Sequence, residues 1–138
     1  MSLVFIVAEC ATKNLTGTTG YVAIPQSQLF GARPSDGEAA RDNATIIVKK
    51  DPGFTGSALS SILLLDGKRL AIIKPGQYLE LSLKPAEYVF GVAWSDGMGA
   101  LETGTTREIA VDCKAGKTYY IRMFPQAMSG IVIERSSQ

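Results

Sequence analysis

The side chains able to do chemistry are few and scattered. Histidine is absent from all 138 residues, which removes the one side chain whose unperturbed pKa lies in the physiological range. Ser-His-Asp, Cys-His and His-metal chemistries go with it. The two cysteines, Cys10 and Cys113, lie too far apart for a Cys-x-x-Cys redox pair and supply no zinc cluster. Asp66, Asp96 and Asp112 belong to no Asp-x-Asp-x-Asp calcium loop, and Asp66 is explained by the turn it forms with Gly67. No metal or cofactor is expected. Glu80, Glu87, Glu102 and Glu108 could supply a carboxylate pair for glycoside hydrolysis, but acidic residues on strand exteriors read first as solvated charges.

Binding chemistry has better material. The only tryptophan, Trp94, runs into Ser95-Asp96-Gly97-Met98-Gly99, a glycine-rich tip carrying a carboxylate at Asp96 and a thioether at Met98. Loops on rigid sandwiches commonly carry binding sites, and aromatic rings stack on sugars and apolar partners. Trp94 also continues an apolar strand face, so core packing is the stronger reading for that residue. Tyr120 and Arg122 share one face of a strand, where Arg122 would stack on Tyr120 or meet a carboxylate across the sheet; a structural ladder is the favoured reading. Trp94, Asp96, Met98, Tyr120 and Arg122 are the candidate binding residues.

The elements that would position them are strands. From Asn43 onward, short apolar or alternating runs are separated by turn residues at intervals near ten, the rhythm of a sandwich or barrel. Ala44–Lys50 is stopped by Asp51-Pro52-Gly53. Ile62–Leu65 and Leu70–Ile73 flank Asp66-Gly67, a dipeptide suited to a type I′ hairpin. Leu79, Leu81 and Leu83 alternate with Glu80 and Ser82. Tyr88, Phe90, Val92 and Trp94 oppose Val89, Gly91 and Ala93, whose small size implies close packing against another layer. Thr106–Cys113, Thr118–Phe124 and Gly130–Arg135 complete the set, with Cys113 pointing inward. The reading is an all-β antiparallel sandwich of about 7–9 strands, one domain over 1–138, with its core in 43–135.

Residues 1–42 form an irregular N-terminal extension. Leu3–Ala8 reads as a buried strand, or as the remnant of a lipoprotein signal that would leave Cys10 lipidated; no Lys or Arg precedes the run, and Glu9 stands where a small residue is expected. Separate thiols, or a lipidated Cys10, are favoured over a Cys10–Cys113 disulfide. A long polar connection follows from Gln28 to Asp42, in which Ser35 and Glu38 form a capping-box pattern weakened by Gly37. The net charge of +1 supplies no field for nucleic acid or anionic lipid.

The ordered set Ala44-Thr45-Ile46-Ile47-Val48, Phe54-Thr55-Gly56-Ser57-Ala58, Asp66-Gly67-Lys68, Gly76-Gln77-Tyr78 and Gly116-Lys117-Thr118-Tyr119-Tyr120 resembles a bacterial family of small exported or lipoprotein domains without assigned function. That family is similar to PEGA and carboxypeptidase-regulatory (prealbumin-like) sandwiches. The resemblance spans about residues 43–124 and departs at Lys84-Pro85-Ala86, where Pro-Gly is usual. It implies a sandwich fold and a cell-envelope or periplasmic location, a cytoplasmic one remaining open, and it brings no catalytic residues. The expected function is a non-catalytic binding or accessory domain with a protein or carbohydrate partner, held at a membrane only through a lipid on Cys10. The alternatives are a structural or inhibitor protein acting through a sheet edge, as a homodimer or on a protein partner, and a hydrolase using carboxylates alone.

Overall fold

In the computed structural model, which describes residues 17–34, 42–52, 60–94, 107–126 and 130–136, the alternating runs become nine strands. In chain order these are β1 (Val22–Ala23), β2 (Ala44–Lys50), β3 (Ser61–Leu65), β4 (Lys68–Ile73), β5 (Gln77–Leu83), β6 (Ala86–Trp94), β7 (Arg107–Cys113), β8 (Thr118–Gln126) and β9 (Gly130–Ser136), with a single 3-10 turn at Gln26–Gln28. One sheet has the order β1-β5-β2-β8-β9 and the other β4-β3-β6-β7. Pairing is antiparallel except for β1 with β5 and β2 with β8. The expected sandwich is therefore the observed architecture.

The turns work as their residues dictate. Asp66 and Gly67 both hold positive φ, 50° and 82°, the backbone that a two-residue hairpin matched to strand twist requires. The hairpin is also pinned sideways, since the Asp66 carboxylate accepts the Val89 amide proton at 2.8 Å and the Asp66 amide donates to the Val89 carbonyl at 2.7 Å.

The inward faces of the two sheets form one apolar core. Ile46, Val48, Leu79, Leu81, Ile121 and Met123 come from the first sheet, and Leu63, Ile73, Phe90, Val92, Val111 and Cys113 from the second. The small face of β6 is covered as its residues imply: a Cβ placed on Gly91 would sit 3.3 Å from Glu108 Cγ and 3.4 Å from the Arg107 carbonyl. Beside it, Ala93 is buried with Ile62 and Leu64 in a second cluster, packed against Phe30 and Ile72.

The segment before β2 does more than connect. Residues 21–34 form a strap over the open side of the sandwich between β4 and β5. Ile24 and Leu29 enter the main core, whereas Phe30 packs on the outer cluster of the second sheet. Gln28 Nε2 reaches both the Ile72 carbonyl at 2.7 Å and Gln77 Oε1 at 2.8 Å, linking one strand from each sheet. Leu29 bridges Ala71, and the Phe30 amide donates to Leu70 at 2.9 Å. Truncating Phe30 removes half-buried apolar surface and the ring beneath Arg69, 4.9 Å away. Phe30→Ala is expected to cost about 1–2 kcal/mol, less than a fully buried Phe, read as a lower urea midpoint with an unchanged slope.

Candidate functional site

Among the described residues two places concentrate polar chemistry, one at the end of β2 and one along β5. The first lies at the C-terminal end of β2. Alternation sends Lys50 inward with Ile46 and Val48 and sends Lys49 to the outer face with Ile47. Lys49, Lys50 and Asp51 are nevertheless all buried, at 0%, 1% and 0% exposure, and each has a specific answer to that burial. Lys50 Nζ donates to Ser61 Oγ on the facing sheet at 2.7 Å. Lys49 Nζ lies between the Tyr21 and Tyr120 rings, 5.2 and 5.4 Å from their centroids, a cation–π arrangement that strengthens as water is excluded.

Asp51 is held by Arg122, whose Nε lies 2.8 Å and Nη2 2.5 Å from Oδ2. The Tyr21 hydroxyl adds a donor to Oδ1 at 3.4 Å. Arg122 also stacks over Phe124 at 4.4 Å and reaches Glu134, its cross-strand neighbour on β9, at 3.5 Å.

The protonation equilibria follow from these contacts. Burial lowers the Lys50 pKa to about 8. Burial also lowers that of Lys49, opposed by the attraction of Asp51 and reinforced by Arg122. The hydrogen bond to Asp51 raises that of Arg122.

The second place is the outer edge of β5. Strand β1 pairs with only Gln77 and Tyr78; Pro25 then breaks the run, because it has no amide proton to offer. Beyond that point lies a cleft of about 270 Å³ lined by Ala23, Ile24, Arg33, Tyr78, Leu79, Glu80, Leu81 and Ser82. Arg33 Nη1 donates to the Glu80 carbonyl at 2.7 Å across it. A second concavity of about 210 Å³ sits by Ala32, Pro34, Leu65 and Leu70.

Tyr120 and Arg122 do come together on one face, but inside the β2–β8–β9 network. Arg122 meets a carboxylate and stacks on Phe124, while Tyr120 faces the Lys49 ammonium. Trp94 ends β6 opposite Ser61. Asp96, Met98 and Cys10, with Leu3–Ala8 and the Ser35/Glu38 pattern, lie outside the described residues. Cys113 carries a free, buried thiol whose pKa burial pushes up. Glu80 lies on β5 and Glu87 and Glu108 on strands of the other sheet. Among the described residues no group of three or more His, Cys, Asp or Glu is placed to hold a metal ion, and no helix is long and apolar enough to cross a membrane.

Sequence reasoning missed Lys49, Lys50, Asp51 and Arg33. The one available signal was two consecutive lysines at the end of a strand whose other residues, Thr45 apart, are apolar. No protein-family model matches this chain, and no curated protein matches it either.

The Lys50 pKa makes stability depend on pH. With a folded value of about 8 against an ordinary 10.5, the unfolded chain binds more protons between those limits, so stability rises with pH across that window and its penalty is constant below pH 8. The full swing is about 3 kcal/mol. Lys50→Met is expected to flatten this rise, as measured by denaturant unfolding at pH 7, 8, 9 and 10. Asp51→Ala, which leaves the Arg122 charge without its main partner, is expected to cost about 3–5 kcal/mol at neutral pH, checked in the same assay.

Proposed function

We propose that this chain is a non-catalytic binding or accessory domain of the bacterial cell envelope whose contact surface is the β5 cleft. One observation carries the reading: the sandwich leaves a concavity along a strand edge where β1 stops, lined by Ile24, Arg33 and β5, with the Arg33 guanidinium on the Glu80 carbonyl. Small-molecule and peptide sites are typically concave and largely preformed, with a few convergent polar groups. The polar network around Asp51 supports the same reading from the other side, since its charges are engaged with one another and act as structure.

The envelope location rests on the family resemblance of residues 43–124. A lipid on Cys10 would supply the anchor; incorporation of labelled palmitate that Cys10→Ser abolishes is the expected outcome, and equal labelling of the variant would refute it. A reading in which the domain acts through a sheet edge on a protein partner is favoured by the same cleft, because its floor is the edge of β5.

Titration of the isotopically labelled chain with oligosaccharides, peptidoglycan fragments and extended peptides tests the binding reading. Amide shifts are expected to concentrate on Ala23, Ile24, Arg33 and Tyr78–Ser82 for at least one class. Shifts elsewhere only, or none from any class, would overturn it.

A further inference from the structure

Gly76, just before β5, and the even-numbered residues of β5 turn their carbonyls away from β2, and the strap meets them one after another as far as Glu80. Gly76 accepts from the Val22 amide at 2.9 Å, Tyr78 from the Ile24 amide at 3.0 Å, and Glu80 from the Arg33 guanidinium at 2.7 Å. The third donor differs in kind. After Ile24 comes Pro25 and the 3-10 turn Gln26–Gln28, so no main-chain amide of the strap follows the edge further, and a side chain from eight residues beyond Pro25 fills the place of a strand amide. Ser82 is next in the series; among the described residues its carbonyl takes no bond from the strap, and its hydroxyl accepts from Asn43 Nδ2 at 3.1 Å.

The geometry points to strand addition: the β5 cleft takes a short extended peptide that pairs with Glu80 and Ser82 and presents a carboxylate to Arg33. This rests on the cleft being the contact surface. The amide of an incoming residue replaces the guanidinium on the Glu80 carbonyl, and a second amide meets Ser82, so both edge carbonyls are paired in the complex. Displaced from that carbonyl, Arg33 has its full fork of donors available, and a carboxylate is the group that matches the fork with two parallel bonds. Arg33 is exposed and makes no other bond among the described residues, so little has to be broken for it to turn.

Charge gives the register. The Glu80 side chain is exposed on the outer face of β5, where a like charge directly opposite is unfavourable. The ligand's acid therefore lies toward Arg33 and away from the position facing Glu80. The cleft's modest size, about 270 Å³, suits a few residues of strand rather than a folded partner.

The probe is the hexapeptide acetyl-Thr-Val-Asp-Val-Thr-Val-amide, titrated by calorimetry and by amide shifts. Three companions accompany it: the Asn version, a version N-methylated at alternate residues, and an acid-free version ending in a free carboxylate. Binding is expected with shifts at Glu80 and Ser82, weakened about ten-fold or more by Asn in place of Asp and lost on N-methylation. In Arg33→Ala the Asp and Asn peptides should bind alike, and Arg33→Lys should restore part of the difference. Binding by the free-terminus version, with an amidated control failing, would assign the carboxylate to a chain end; the reverse assigns it to a side chain. Equal affinity for Asp and Asn peptides in the unmodified chain, tolerance of N-methylation, or shifts away from β5 overturns the inference. If chitotetraose shifts the cleft residues and no peptide does, the cleft remains the contact surface and the strand ligand falls; if neither does, both fall.

Discussion

Asp51 is enclosed at 0% exposure, and much of the first sheet is arranged so that this charge is never left alone. An isolated buried carboxylate is costly enough that it would take up a proton or unfold its surroundings. Here the carboxylate accepts from Arg122 on β8, which reaches on to Glu134 on β9, and from Tyr21 at the start of the strap. Its own amide donates to the Met123 carbonyl at 3.0 Å, carrying the β2–β8 pairing one step past the end of β2. One side chain thus sets the relation of β2, β8 and the strap at the same point. Such networks are weak evidence for stability gained, since desolvation offsets much of the attraction. Their effect is on which arrangement is allowed: a shift of β8 by one residue would move Arg122 to the inner face and leave Asp51 bare.

The strap follows from the same economy of unsatisfied groups. A sandwich has open sides, and an edge strand with free amides and carbonyls invites pairing with other chains. β4 and β5 form such a side, and residues 21–34 cover it with Gln28 on Ile72, Phe30 on Leu70, and Val22, Ile24 and Arg33 along β5. Among the described residues the covering follows the main chain to Tyr78 and is a side-chain contact at Glu80. A single polar side chain is a weaker closure than a strand, and on that difference the proposed strand addition rests.

Most of the strands were legible because one physical signal governs them. Leu79, Leu81 and Leu83 alternate with polar residues as a half-covered strand must, and Asp66-Gly67 names its own turn through the φ values it tolerates. The burial of Lys49 and Lys50 was not legible, since lysine is almost never fully buried unless paired and the pairing groups, Ser61, Tyr21 and Tyr120, are distant in sequence. The strap was opaque for a related reason. Its bonds run from side chain to backbone across separations of 44 and 47 residues, Gln28 to Ile72 and Arg33 to Glu80, and no local periodicity encodes such a contact. Tyr120 and Arg122 were found by their shared face, yet the residue that fixes their role, Asp51, looked from the sequence like the first residue of a turn.

Lys50 places a further constraint on how the domain works. Its ammonium is confined between the sheets with Ser61 Oγ at 2.7 Å, and burial holds its pKa near 8, so the folded state carries an electrostatic cost at neutral pH that an apolar residue would avoid. The cost falls where the end of β2 meets the start of β3, at the Lys50–Ser61 contact. For the proposed strand addition a fixed register matters, because a strand would be added to β5 without loss of affinity only if β5 is already held by β2. The six residue pairs from Ala44–Leu83 to Lys49–Tyr78 supply that hold. The edge is thereby preorganised, and among the described residues the Arg33 side chain is the group that would move to admit the proposed strand.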